Sequence, residues 1–284
     1  MFIKLINSSC VTVVSVDIPS GLPSDGKMPE GESVRADYTI TIGLPKISLV
    51  TWPCREFCGE VTTADIGFPV TLTTDDRLKV TLINDNLLKT TGIYKHSSDI
   101  HKGDRGHTLL IGGFKGMEGA ALMTARAMFS TGCGLLTIAT EEKSRKIIAG
   151  KIPEAMTVSI PADPESFIVY DFFASAKFTS LIIGPGLGRT AYAGTVFNKI
   201  ISSLEKSGIK KVLIDGDGLY HLAEFFIKNT LPSGIDYIIT PHFMEASRIM
   251  NKDIETIKND RLRSCVELAG CTGCVAVLKG PASI

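Results

Sequence analysis

The segment from His101 to Thr140, HKGDRGHTLLIGGFKGMEGAALMTARAMFSTGCGLLTIAT, constrains this chain most. Thr108 to Ile111 is a short apolar run that Gly112 and Gly113 stop. Phe114 to Glu118 is a loop containing Gly116, and Gly119 opens an Ala/Met-rich stretch from Ala120 to Phe129. Gly132 and Gly134 close that stretch before a second apolar run, Leu135 to Ala139. The pattern is strand, helix, strand, with glycine at both corners. A glycine loop feeding a helix start suits an anion, because free backbone N–H groups and the positive end of the helix dipole converge there. A plain corner of an α/β sheet has the same glycines, so the loop by itself leaves both readings open.

The alternation continues to the end of the chain. Met156 to Ile160, Thr179 to Ile183, Lys211 to Ile214, Ile235 to Ile239 and Gly273 to Leu278 read as strands. Helical stretches separate them: Glu141 to Lys151, Phe167 to Ala176, the amphipathic Ala191 to Lys206, Tyr220 to Phe226, Met244 to Met250 and residues 252–268. This predicts an α/β fold, a mainly parallel sheet with helices on both faces. Several strands end in chemical clusters: Gly112-Gly113, Gly184-Pro185-Gly186, Asp215-Gly216-Asp217, Thr240-Pro241-His242 and Lys279-Gly280. All would share the carboxyl rim, where open α/β sheets bind ligands.

The rim residues have plain and chemical readings alike. Glycine at 184, 186 and 188 lets backbone approach a ligand, and the helix near Ala191 offers its dipole to a phosphate. The spacing is neither a Rossmann fingerprint nor a Walker loop. Asp215 and Asp217 could orient a metal or hydroxyl, or cap the next helix. His242, fixed behind Pro241, is a rim histidine or a satisfied polar group. Lys279 offers an ammonium to a phosphate, or is a solvated lysine. There is no Ser-His-Asp order, HExxH or nucleophile elbow. The glycines and scattered polar groups suit phosphoryl transfer, where positioning and electrostatics supply most of the acceleration.

Upstream, Val11 to Val16 is a β-branched strand ending in Asp17-Ile18-Pro19-Ser20-Gly21, a rim-like tip or a simple turn. Ala36 to Gly43 and Glu60 to Phe68 are two more strands, and a boundary falls near residues 70–95. The 284 residues are 44% hydrophobic and 21% charged with a net charge of +0, and no basic stripe points to nucleic acid. No apolar run is long enough for a bilayer, and the N-terminus lacks the order of a signal peptide, so the expected residence is cytoplasmic. Seven cysteines leave one odd, and Cys271/Cys274 and Cys54/Cys58 lack the companions of a metal tetrahedron, so reduced thiols are expected.

HKGDRGHTLLIGG, GAALMTARAMFSTGCGLLTIAT, PEAM, IIGPGLGR, VLIDGDGLYHLA, ITPHFMEASRIM and VAVLKGPASI together resemble, in order, the NAD(P)H-hydrate dehydratase family over about residues 95–284. VVSVDIPSGL, ADYTITIG and GEVTTADIGFP resemble the C-terminal part of the NAD(P)H-hydrate epimerase domain. The resemblance implies a ribokinase-like fold behind a partial Rossmann-like α/β segment, in a bifunctional repair enzyme. It implies dehydration of (S)-NADHX and NADPHX to NADH and NADPH, driven by ADP or ATP with Mg2+, through phosphorylation and phosphate elimination. Gly119 and Ala120, the loop Gly184, Pro185, Gly186, Leu187, Gly188 and Arg189, and His242 would hold the hydrate. Lys279, Gly280, Pro281, Ala282 and Ser283 would contact the nucleotide, with Ser283 replacing the usual Thr. Asp17 matches a substrate-binding aspartate of the epimerase and Ser20 a residue of its K+ site. The fold often assembles, so a homo-oligomer is within expectation.

The departures shape the expected domains. Residues 1–75 are a partial epimerase domain without its Asn/Gly-rich substrate loop, 76–98 a linker, and 99–284 the dehydratase domain. The family's GSGD motif, with its catalytic aspartate, is expected beyond Ile284, and Asp215 and Asp217 are not its equivalents. Gly216 stands where the family usually has Ala. A ribokinase-like kinase for a small alcohol and a non-catalytic nucleotide-binding protein are the alternatives.

Overall fold

The structure, a computed structural model, describes residues 2–91, 105–174 and 176–284. The end of the expected linker, the start of the opening segment at residues 101–104, and Ser175 lie outside the described residues. The chain divides into two compact units, one of residues 1–97 with 258–263 and 280–283, the other of 98–257, 264–279 and 284.

The first unit holds a three-stranded parallel sheet, β1 (Val14–Val16), β2 (Tyr38–Ile42) and β3 (Glu60–Ala64), in that order. Its small core is Leu22, Leu49, Cys54 and Cys58 with Ile18, Phe57 and Val61 against them. Strand alternation buries Ser15, Thr39 and Thr41, while Val14, Val16, Tyr38 and Ile40 on the other side are exposed. The buried hydroxyls of β2 are satisfied, Thr39 by the Cys58 carbonyl at 2.7 Å and Thr41 by Asp17 at 3.4 Å.

The second unit is built on seven parallel strands. They are β4 (His107–Ile111), β5 (Leu135–Glu141), β6 (Met156–Ile160), β7 (Ser180–Ile183), β8 (Lys211–Ile214), β9 (Asp236–Ile239) and β10 (Val275–Ala276), in spatial order β10-β9-β8-β7-β4-β5-β6. Leu109 and Ile111 enter one buried cluster, with Leu181, Ile183, Phe197 and Ile214. Leu110, between them, enters another with Ala121, Ala125, Ile138 and Ile148. Opposite pointing of successive side chains on β4 thus feeds a helical layer on each face, the α/β fold expected.

The order reverses at one place. From β4 the chain runs outward through β5 and β6, then returns to lay β7 on the other side of β4. The loops after β4 and β7 therefore diverge from adjacent strands, the arrangement that opens a ligand crevice.

Some element bounds differ from the sequence pattern. The helix after β8 runs Asp217–Phe225, starting three residues before Tyr220, because Gly216 at φ +55° turns the chain straight off the strand. Residues 252–268 form two helices, Ile254–Asn259 and Arg261–Thr272. The final strand is only Val275–Ala276, and two short helices, Val70–Thr73 and Asp85–Thr90, occupy the polar stretch after β3. No helix among the described residues is long and apolar enough to cross a membrane.

Candidate functional site

The loops at the switch point are bolted together by backbone. Gly113 N–H donates to the Pro185 carbonyl at 2.9 Å and Phe114 N–H to that of Gly186 at 2.8 Å. The approach is too close for side chains: a Cβ at Gly112 would fall 2.2 Å from the Pro185 oxygen, and one at Gly184 1.9 Å from the Asp215 carbonyl oxygen. Ala120, in the first turn of the helix Glu118–Ser130, lies where a Cβ on Gly186 would meet it at 3.0 Å. The structure thus brings Gly119, Ala120 and residues 184–189 together, with Leu187 fully buried and Gly119 and Arg189 exposed.

The same loop is latched to the helix after β8. Gly188 N–H donates to Asp217 Oδ2 at 3.0 Å, Arg189 Nε donates to Asp217 Oδ1 at 2.9 Å, and His221 Nε2 meets the Gly188 carbonyl at 2.8 Å. A carbonyl only accepts, so His221 carries its proton on Nε2. Asp217 is the first residue of its helix rather than its cap, and among the described residues no three metal-ligating side chains gather around it. The spacing of Asp217 and His221, four residues on one helix, was the signal for this latch, and it is unreadable without knowing what faces that helix.

Farther along the rim, Lys279 Nζ pairs with Asp215 Oδ1 at 2.6 Å, and Thr240 Oγ1 donates to the same oxygen at 2.6 Å. Burial would raise the Asp215 carboxyl, but the bonds from Lys279 and Thr240 hold it below the usual carboxylate range. Lys279 N–H also donates to the Pro241 carbonyl at 2.8 Å. The ends of β8, β9 and β10 are joined, and Lys279 is not a solvated surface lysine.

His242 caps the helix Phe243–Met250. Its Nδ1 accepts from Met244 N–H at 3.1 Å and Glu245 N–H at 3.3 Å, while Glu245 Oε2 accepts from His242 N–H at 2.9 Å. That reciprocal pair uses Nδ1 and leaves the half-exposed ring's Nε2 edge 3.4 Å from Glu245 Oε1.

Four nucleotide-site candidates, Gly280, Pro281, Ala282 and Ser283, fall in the first unit. There Arg261 donates to the Pro281 and Ala282 carbonyls, each at 2.7 Å, and Ala282 takes a left-handed φ of +53°. Asp17, also of that unit and at φ +68°, pairs with Lys46 and accepts from Ile42 N–H at 3.1 Å. The Lys46 bond keeps its carboxyl below the usual range. Ser20 is exposed, and its carbonyl accepts from Val34 N–H at 2.9 Å. All seven cysteines are free thiols. A cleft of about 790 Å³ beside Phe225–Ser233 lies before β9, away from these strand ends, so volume does not locate the chemistry.

The chain is similar to known proteins over most of its length. The family described as NAD(P)H-hydrate dehydratase matches residues 108–284, and that described as YjeF-related protein N-terminus matches residues 1–48. The bifunctional NAD(P)H-hydrate repair enzyme Nnr of Coxiella burnetii is 33% identical over 98% of this chain and 54% of its own length. That of Thermofilum pendens is 32% identical over 98% of this chain and 52% of its own. The chain thus spans about half the length of the curated relatives it matches. An ADP/ATP-dependent NAD(P)H-hydrate dehydratase from Bacillus subtilis, co-crystallised with ATP and Mg2+, is similar with a TM-score of 0.52 and 26% identity, over 66% of this chain and 63% of that one. A ribokinase-like superfamily protein from Enterococcus faecalis gives 0.55 and 27%, over 66% and 61%. The two loops that meet at the switch point and the joined ends of β8 to β10 all lie within the matched residues, and the chain belongs to the NAD(P)H-hydrate dehydratase family.

Proposed function

We propose that this chain serves repair of hydrated nicotinamide dinucleotides. It binds (S)-NADHX or NADPHX at the rim of the seven-stranded sheet for dehydration to NADH or NADPH, through phosphorylation by ADP or ATP and elimination of phosphate. The observation that carries the reading is the switch-point crevice, where the 184–189 loop is held on one side by the β4 loop and on the other by Asp217 and His221. A pre-set loop of this kind supplies orientation without an ordering cost at binding.

In this reading Gly119, Ala120 and residues 184–189 hold the hydrate, and His242 presents its half-exposed ring to it. Lys279 to Ser283 serve the nucleotide, which supplies the phosphoryl group. Lys279, oriented by Asp215, would place positive charge at the strand ends, where charge develops during transfer. Among the described residues no three His, Cys, Asp or Glu side chains converge on one metal position. Mg2+ would come with the nucleotide, on its phosphates, the usual way this cation is held. Residues 1–75 are assigned to a partial epimerase domain with Asp17 toward its substrate and Ser20 toward K+, 76–98 to a linker and 99–284 to the dehydratase domain. The partners are small molecules rather than nucleic acid or membrane, with residence in the cytoplasm beside the soluble dinucleotide pool and self-assembly into a homo-oligomer.

Titrating S-NADHX and S-NADPHX into the protein, against NADH and NADPH as controls, tests the reading. Preferential binding of the hydrates, with 340 nm absorbance appearing when ADP or ATP and Mg2+ are added, is the expected result. A protein that ignores both hydrates but phosphorylates a small alcohol would overturn it.

A further inference from the structure

Two arginines share one aromatic ring. The Arg189 guanidinium carbon lies 5.3 Å from the centroid of Tyr220, and that of Arg248 lies 4.6 Å from it. Three successive elements deliver these groups: the loop after β7, the helix after β8 and the helix after β9. Stacking on a ring holds a planar guanidinium in place without consuming its N–H donors.

Several guanidinium donors are left unspent. Asp217 spends both oxygens, one on Arg189 Nε and the other on Gly188 N–H. The terminal nitrogens of Arg189 meet no acceptor among the described residues. Glu224 lies 3.8 Å from His221 Nδ1, and its negative charge beside Tyr220 raises the Tyr220 pKa. Glu245, on the same helix as Arg248, is turned back onto His242. Arg248 itself is exposed and has no ion-pair partner among the described residues. The cluster therefore presents unspent guanidinium donors held against one ring, at the end of the loop assigned to the hydrate.

We propose that Arg189 and Arg248, held against Tyr220, form a subsite for the phosphates of the dinucleotide. The inference rests on the hydrate-binding reading and extends it from the nicotinamide end to the phosphates. Paired N–H donors of a guanidinium match phosphate oxygens, and Tyr220 fixes the direction in which both forks open. The ligand chemistry has two sources. The diphosphate bridge occurs in both hydrates, whereas the 2′-phosphate occurs only in NADPHX. Anchoring at either one supplies binding energy far from the reacting ring, where it serves to orient the hydroxyl for phosphorylation.

Calorimetric titration of wild-type protein, Arg248→Gln and Arg248→Lys with inorganic diphosphate, S-NADHX and S-NADPHX tests the subsite. Wild-type protein is expected to bind diphosphate, and Arg248→Gln to bind it about tenfold more weakly, the loss of a hydrogen bond between charged groups. Arg248→Lys should fall between them, since it keeps the charge and loses the stacked fork. Weakening of both hydrates in Arg248→Gln assigns the subsite to the bridge, and weakening of NADPHX alone assigns it to the 2′-phosphate. No diphosphate binding by wild-type protein, or equal binding by Arg248→Gln, overturns the subsite. Weaker diphosphate with unchanged hydrates overturns its assignment to substrate. If wild-type protein ignores both hydrates while diphosphate binding still depends on Arg248, the anion site stands and the hydrate reading falls.

Discussion

Lys279 and Asp215 meet at 2.6 Å across a sequence separation of 64 residues, and they do so over the end of an intervening strand. Asp215 follows β8 and Lys279 follows β10, with β9 between them contributing Thr240 to the same carboxylate oxygen. The edge of the sheet is thereby pinned at its strand ends.

Replacing Lys279 by Met should remove the pair and keep most of the side-chain volume. Both partners are partly exposed, so the expected loss is modest, about 1 kcal/mol, read as a lower urea midpoint. Nucleotide affinity should fall well beyond what that instability explains. Unchanged affinity would take Lys279 out of the nucleotide site.

Asp215 also predicts a pH dependence. Its folded-state pKa lies below the ordinary 3.8, so the unfolded chain takes up the proton first on acidification. The contribution to stability is complete above the ordinary carboxylate range and is lost as pH falls through the folded value. Urea midpoints measured from about pH 6 down to about pH 3 should drop more steeply for wild type than for Asp215→Asn. Parallel curves would contradict this.

His242 separates capping from binding. Its ring nitrogen accepts the backbone N–H groups of Met244 and Glu245, so His242→Ala should cost about 1 kcal/mol. Asn caps helices well, so His242→Asn should restore thermal stability. If the imidazole touches the hydrate, Asn will not restore hydrate affinity. Recovery of both by Asn would show that His242 only caps.

The latch at Gly188 is tested by His221→Phe, which keeps a ring beside Phe197 and deletes the donor to the Gly188 carbonyl. A buried carbonyl left unpaired costs about 1–3 kcal/mol. Hydrogen exchange at the Gly188 amide should accelerate as the loop loosens, with the hydrate KM rising more than kcat falls. Unchanged exchange would remove His221 from the latch.

Glycine substitutions should divide by surroundings. A Cβ at Gly184 would collide with the Asp215 carbonyl at 1.9 Å and the Gly218 nitrogen at 2.6 Å, so Gly184→Ala should cost more than about 3 kcal/mol. Gly116 has a similarly left-handed φ of +83° but open space around it, and Gly116→Ala should cost about 1 kcal/mol. Equal costs would mean that backbone conformation, not packing, is what both positions demand.

The order of strands and helices, the two-sided burial of β4 and the gathering of Gly112, Gly184, Asp215, Thr240 and Lys279 at one rim were all legible in the sequence. Each follows from local periodicity and from where a strand stops, and parallel strands joined by helices must end on the same side. Residue-by-residue resemblance likewise pointed to the family. Tertiary structure alone decided that the β4 and β7 loops are neighbours, because lateral strand order depends on packing between segments rather than on any one segment. It alone turned Asp217 toward Gly188, set His221 beneath that loop and brought Arg189 and Arg248 to one face of chemistry at Tyr220. Asp217, His221 and Arg248 are polar residues on helices and Arg189 ends a loop, and local sequence cannot say what any of them faces.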